Sequence, residues 1–458
     1  MKPAEQLSAS YRDPSGFMFR VNGIYYRQVN KLFKEDFDYF ISSGCYDELV
    51  RTGLLIPHET INENLTGSAD WYQTLKPEQL QFVSYPYEWS FDMLKDAALL
   101  TLKILKKSLK KEMILKDATP FNIQFHRGKM IFIDTLSFEK YHEEEPWAAY
   151  RQFCESFLGP LLVMHYKKIP IQQLMLAWPD GIPLSILQSL LPAKSKFSFH
   201  TYLHVHLNAR FSNSPKSATK KKVLFNRKRL INLVDSLEIL VNKLKLSSQT
   251  STWSSYYEEA AGRNNYLAEK KRITTEWLDK MDSVKTAADL GANNGEFSQM
   301  LAERRISTVA ADFDPACINS LYNNIKNKEI QNIIPLAVDL SNPSPSIGFN
   351  NEERPSFINR SAFDLTIALA LIHHLAISKN IPIQKLAELF KRITNKYLII
   401  EFVPKEDEKV QLLLNNRKDI FFNYNANNFE LSFETNFRIV AKELIGESGR
   451  ILYLMEKK

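Results

Sequence analysis

Cysteine is scarce in this chain. Cys45, Cys154 and Cys317 are the three in 458 residues, and they lie far apart with no C-x-x-C pair among them. Such spacing argues against a cysteine-built zinc site and fits a reducing compartment, with the cytoplasm as the default expectation. Long apolar runs are missing as well. No stretch reaches the roughly 18 apolar residues of a membrane-spanning helix, and the opening MKPAEQLSASYRDPSG lacks the apolar core of a signal peptide. No internal repeat is evident. Two nucleotide signatures are also absent: the G-x-G-x-x-G turn that seats a pyrophosphate and the G-x-x-x-x-G-K-[ST] phosphate loop. Hydride transfer and P-loop chemistry are therefore disfavoured.

What is present is the composition of a globular protein, 44% hydrophobic and 24% charged. The length exceeds what one core usually serves, so two domains are expected. The boundaries read as an N-terminal domain over 1–245, a polar linker LSSQTST over 246–252 and a second domain over 253–458. The net charge of +7 is uneven: Lys216, Lys220, Lys221, Lys222, Arg227, Lys228 and Arg229 fall together without an acid. In a Ser/Pro/Lys-rich setting this reads as a solvated surface segment before a helix, with nucleic-acid binding the less favoured alternative.

The N-terminal part reads as α+β and mostly helical. Residues 17–31 form two strands around Asn22-Gly23, a strong hairpin signal. Residues 91–111 repeat apolar positions (Leu94, Ala97, Ala98, Thr101, Leu102, Leu105) at helical spacing. From 147 to 245 the pattern is largely helical and ends in a stripe from Leu230 through Leu233, Val234, Leu237 and Leu240 to Leu244.

After the linker, strands at 286–290, 308–312, 333–339, 364–370 and 397–402 alternate with helical segments. Two last strands, 437–444 and 450–456, are joined by the turn IGESG. This predicts an α/β domain with five parallel strands and an antiparallel terminal hairpin. Ligands of such sheets bind at the carboxyl ends of the strands. The first strand ends in AADLGANNGEFS, where Gly291 and Gly295 open a turn next to Asp289 and Asn293. The second ends at Asp312, placed to take both hydroxyls of a ribose, and is followed by Phe313. The third reaches Asp339 and Leu340, the aspartate placed to accept from an exocyclic amine. The fourth reaches Ala370 and runs into His373 and His374. The two histidines are candidates for a general base, against the alternative of packing the following helix. Glu401, near the end of the fifth strand, is either a site acid or a solvated turn residue before Pro404. Upstream, Trp253, Tyr256, Tyr257 and Tyr266 could line an acceptor pocket or simply pack a covering helix.

In combination these strand ends resemble the class I S-adenosylmethionine-dependent methyltransferases, over residues 250–458. The resemblance implies S-adenosylmethionine as cofactor. It implies that Asp289, Gly291 and Gly295 surround the methionine part, Asp312 holds the ribose, Phe313 packs on adenine and Asp339 binds its amine. A second stretch, LKDATPFNIQFHRGKMIFIDTLSFE (115–139), has Asp117, then Asn122, then a hairpin around Arg127-Gly128, then Asp134. It resembles the catalytic loop of the aminoglycoside-phosphotransferase and protein-kinase superfamily, a C-lobe over roughly 85–165, in which the later Asp holds magnesium. Lys116 and Thr135 depart from that pattern, and neither a Gly-rich loop nor a V-A-I-K strand precedes it. A kinase-derived scaffold, or a chance likeness, is therefore favoured over an active phosphotransferase. Asp117, Asn122 and Asp134, with Tyr256 and Tyr257, become substrate-binding candidates. The two parts together resemble bacterial nodulation-protein-like methyltransferases, which implies methyl transfer to a small-molecule or carbohydrate-like acceptor; separately, no metal-binding residues are expected.

Overall fold

The computed structural model describes residues 4–143, 145–170, 172–212, 226–246, 266–415 and 418–458. Lys216, Lys220, Lys221, Lys222, Trp253, Tyr256 and Tyr257, and all but the first residue of the expected linker, lie outside the described residues. The chain forms two compact units. The first comprises Met1–Ser248 and Ser346–Arg354; the second comprises Gln249–Pro345 and Pro355–Lys458. The second unit, expected to run unbroken from 253, thus yields residues 346–354 to the first.

In the first unit β1 (Glu5–Gln6), β2 (Gly16–Val21), β3 (Ile24–Asn30), β4 (His58–Ile61) and β5 (Trp71–Pro77) make an antiparallel sheet of order β1-β2-β3-β5-β4. Asn22 and Gly23 take φ of 52° and 83°. Two positive φ values are what a two-residue hairpin turn needs to match strand twist, and Asn-Gly is the pair that adopts them at least cost. The helix Phe91–Leu109 buries Leu94, Ala97, Ala98, Thr101, Leu102 and Leu105, the expected stripe. β6 (Met113–Leu115) pairs with β9 (Phe138–Lys140), and β7 (Ile123–His126) with β8 (Lys129–Phe132), around the Arg127-Gly128 turn. Beyond them the unit is helical, and its helix Arg227–Lys243 buries Leu230, Val234, Leu237 and Leu240. Within this unit Glu353 accepts from Arg12 Nε and Nη2 at 2.7 and 3.0 Å.

The second unit holds a seven-stranded sheet. Its strands are β10 (Thr286–Leu290), β11 (Ser307–Asp312), β12 (Ile333–Ala337), β13 (Phe363–Ala368), β14 (Thr394–Phe402), β15 (Phe437–Leu444) and β16 (Ile451–Lys457). The order is β12-β11-β10-β13-β14-β16-β15. The first five are parallel; β16 runs antiparallel to both β14 and β15. The sheet is therefore mixed, through the terminal hairpin. The chain steps outward from β10 to β12 and then resumes on the other side of β10 at β13. That reversal opens a crevice at the carboxyl end of β10, where Gly291 stands. The helix Tyr266–Leu278 packs Tyr266, Ile273 and Trp277 into one core with Leu365, Ile367 and Ile399. Among the described residues no helix is long and apolar enough to cross a membrane.

Candidate active site

The turn after β10 is held by its backbone. Gly291 and Ala292 N–H both donate to the Ala311 carbonyl, at 2.8 and 3.1 Å. Gly291, Asn293 and Gly295 all have positive φ (77°, 49° and 80°). At Gly295 a Cβ would also lie 2.5 Å from Leu321 Cδ1, so glycine is required there on two counts. Gly295 caps the helix Glu296–Glu303, whose Ser298 hydroxyl donates to Asp289 Oδ2 at 2.6 Å.

A cavity of about 320 Å³ opens at these strand ends, within the range of small-molecule sites. Its wall includes Asp289, Gly291, Asn293, Asp312, Phe313 and Asp339. Leu340, Ala370 and His374 line it as well, with Tyr266, Lys270 and Leu413. Asp312 Oδ2 accepts from Asn293 N–H at 2.8 Å and Oδ1 from Asp314 N–H at 2.9 Å. An ionised carboxylate has about four lone-pair sites, so a ligand hydroxyl can be met without displacing the Asn293 and Asp314 bonds. Phe313 is 54% exposed and lines the cavity, so a flat partner can lie against its exposed ring. Asp339 Oδ1 accepts from Ser341 N–H and Oγ at 2.8 and 2.6 Å, while Oδ2 lies 3.5 Å from Lys379 Nζ.

Burial dominates the electrostatics. It pushes the Asp289 carboxyl up to about 6, against the bonds from Ser298, and the Asp312 carboxyl likewise up to about 6, against the N–H groups that hold it. Burial, with the Arg450 charge, lowers His374 to about 4. His373 is driven well below its ordinary value by burial, His374, Arg450 and Lys270. Both rings are therefore neutral near pH 7. The structure separates them: His374 begins a π-helical turn (His374–Ser378) and lines the cavity, whereas His373 is 1% exposed, is absent from the wall and has a buried Nδ1 without a hydrogen-bond partner. The rings lie 4.1 Å apart.

Glu401 is not a solvated turn residue. It lies within β14 and is 0% exposed. Its carboxylate accepts from Tyr266 Oη, Lys270 Nζ (2.8 Å), Ala370 N–H (2.8 Å) and Arg450 Nη1 (3.4 Å). Burial alone would raise its pKa, but the charges of Lys270 and Arg450 hold it below the ordinary value. It is also absent from the cavity wall. The expected site acid is thus an anchor: it fixes Ala370 in a left-handed conformation (φ 49°) and ties together the elements behind the cavity. Arg450 completes the cluster through a bidentate pair with Asp407 at 2.8 and 3.0 Å.

Lys270, Arg450 and Asp407 were not singled out from sequence. Lys270 could have been: in the helix Tyr266–Leu278 it falls on the same face as Tyr266, Ile273 and Trp277, a lysine in an apolar stripe. Arg450 and Asp407 sit in connections whose register nothing local fixes.

In the first unit Asp117, Asn122 and Asp134 do come near one another. Asp134 accepts from Arg27 Nη1 and, at 2.7 Å, from Ser137 Oγ; Asn122 Nδ2 donates to the same Ser137 hydroxyl at 3.0 Å. The Asp117 carboxyl is raised by burial and by the charge of Asp134. Lys116 is turned onto Asp13 and Ser15, at 3.0 and 2.9 Å. An Asp134 engaged by an arginine is not poised as a metal ligand, and among the described residues no group of three or more His, Cys, Asp or Glu is arranged to hold a metal ion.

The chain is 32% identical to the nodulation protein NoeA of Rhizobium meliloti (strain 1021) over 467 residues, covering 99% of this chain and 96% of that one. No family model matches. Among solved structures, the N-methyltransferase NodS from Bradyrhizobium japonicum WM9 is 12% identical, with a TM-score of 0.32, over 42% of this chain and 97% of its own. The bifunctional kinase-methyltransferase WbdD is 18% identical, with a TM-score of 0.29, over 43% of this chain and 39% of its own.

Proposed function

The chain belongs to the family of the nodulation protein NoeA, and we propose that its second unit binds S-adenosylmethionine and transfers the methyl group to a small-molecule or carbohydrate-like acceptor. The observation that carries this reading is Asp312. It is a buried carboxylate at the carboxyl end of the strand beside the glycine turn, held by backbone N–H groups including those of Asn293 and Asp314. In this reading Asp312 takes the ribose hydroxyls. Phe313 lies along one face of the adenine, and Asp339 accepts from its exocyclic amine. Gly291 lets the backbone approach the methionine part, where a Cβ would crowd the ligand.

The bound cofactor supplies an electrophilic methyl on a sulfonium. The protein's task is then alignment, since a displacement of this kind gains most from holding the two reactants in line. His374, neutral and in the cavity wall, is placed to receive a proton from the acceptor. His373 supports it from behind by ring contact. Glu401 acts at one remove, by setting the Ala370 turn that leads into His374.

Isothermal titration with S-adenosylhomocysteine tests this reading. Saturable binding that Asp312→Ala abolishes is expected; no binding heat in the wild-type protein would sink it.

A further inference from the structure

The stretch 156–234 holds twelve lysines and arginines and one acid, Asp180. Seven of the twelve make the cluster between 216 and 229; Lys167, Lys168, Lys194 and Lys196 precede it. The first unit gathers these four with two more. Lys194 Nζ sits 5.8 Å from the centre of the Tyr166 ring, which brings the turn Ala193–Phe197 beside the end of the helix Gly159–Lys167. On that helix His165 Nδ1 lies 2.7 Å from the Lys245 carbonyl oxygen. Burial and the charge of Lys243 both lower the His200 pKa, so Lys243 belongs to the same neighbourhood. All six lysines are exposed, and among the described residues none of them forms an ion pair. The nearest acids in sequence are used elsewhere. Asp235 and Glu238 hold Lys106, Glu155 holds Arg151, and Arg12, raised mainly by Glu353, also feels Asp180. Apolar side chains stand among the lysines: Phe197 is 91% exposed and Phe199 72%, with Ile169 at 45% next to Lys168. A phenyl ring left almost wholly in water gains free energy wherever it meets an apolar phase.

We propose that this surface of the first unit docks on a bilayer with anionic headgroups. The lysines meet the headgroup charge, and Phe197, Phe199 and Ile169 enter the boundary between headgroups and acyl chains. A cluster of about four to eight basic residues is enough to hold a surface segment on an anionic leaflet, and an apolar second signal makes the attachment stable. The side chains favour lipid over nucleic acid. All six cations of the patch are lysines, point charges suited to a diffuse surface potential, whereas bidentate phosphate recognition calls for arginine. Ile169 has no π face on which a base could stack.

Flotation of the full chain with vesicles tests the proposal. Binding is expected to vesicles of phosphatidylcholine with about 30% phosphatidylglycerol, weakening as salt rises, with little binding to phosphatidylcholine alone. Lys194→Gln combined with Lys196→Gln is expected to weaken binding about 20- to 30-fold, roughly fivefold for each lysine. Phe197→Ser combined with Phe199→Ser is expected to weaken it at least about tenfold while the salt dependence persists. Both variants change exposed side chains, so each is expected to keep the wild-type urea midpoint. A wild-type protein that stays off anionic vesicles, that binds neutral ones equally well, or that binds as tightly without the two phenyl rings overturns the proposal. Capture by a single-stranded oligonucleotide in place of the vesicles also overturns it and assigns the surface to nucleic acid.

Discussion

Replacing Asp289 with asparagine is expected to stabilise the protein while impairing its site. The carboxyl is 3% exposed, and burial moves it from 3.8 to about 6. Holding such a group ionised in the native state costs about 3 kcal/mol relative to the unfolded chain. Below about pH 4 the group is protonated in both states and the cost vanishes. Between about pH 4 and 6 the native state keeps a proton that the unfolded chain has released, so stability falls as the pH rises through that window. Above about pH 6 the full cost applies. Asparagine has the same shape and does not titrate. Its carbonyl can accept from the Ser298 N–H, and the Ser298 hydroxyl, now donating to Asp289 Oδ2 at 2.6 Å, can turn to accept from the amide. Asp289→Asn without ligand should therefore match wild type near pH 4 and exceed it by up to about 3 kcal/mol at pH 8. For a unit of this size that is roughly 6–12 °C in the unfolding midpoint. Scanning calorimetry across pH, with S-adenosylhomocysteine titrated in parallel, measures both effects. A stability difference that is the same at pH 4 and pH 8, or a variant less stable than wild type at pH 8, refutes the reasoning.

Further outcomes follow from the same geometry. Because Asp289 and Asp312 both hold protons up to about pH 6, a cationic cofactor should bind less tightly below that pH. Its uptake there should release protons, seen as a dependence of the titration heat on buffer ionisation enthalpy; pH-independent affinity between pH 5 and 8 would contradict this. Gly295→Ala should cost about 1–3 kcal/mol and weaken cofactor binding, since the new methyl meets Leu321 in a left-handed backbone; a urea titration with wild-type midpoint would refute it. Asp407→Ala, which strips the bidentate partner from a 2% exposed Arg450, should cost about 3–5 kcal/mol in chemical denaturation. A loss below about 1 kcal/mol would show that the pair is not in place.

Much of the second unit was legible because parallel strands buried on both faces read as apolar runs, and the residues at their ends read as chemistry. Asp312, Phe313 and Asp339 needed only the strand ends and the glycine turn to be placed. Glu401 was misread in its surroundings because its environment is made by residues distant in sequence: Tyr266 and Lys270 come from the helix before β10, and Arg450 arrives only once β16 pairs with β14. The two histidines look equivalent in the string Ile-His-His-Leu, and only the π turn beginning at His374 divides them into one at the wall and one behind it. In the first unit the Asp117–Asn122–Asp134 spacing was visible. The partner that changes its meaning, Arg27, lies on β3 and comes from across the fold.

Residues 346–354 belong to the first unit, though the chain reaches them only after β12 and leaves them to begin β13. During synthesis the first unit therefore waits for its last piece. Arg12 and its partner Glu353 are 341 positions apart, and three of the seven strands of the second unit's sheet are made between them. Neither unit can be cut from the gene as one uninterrupted stretch, and the first is complete only after the second has been partly made.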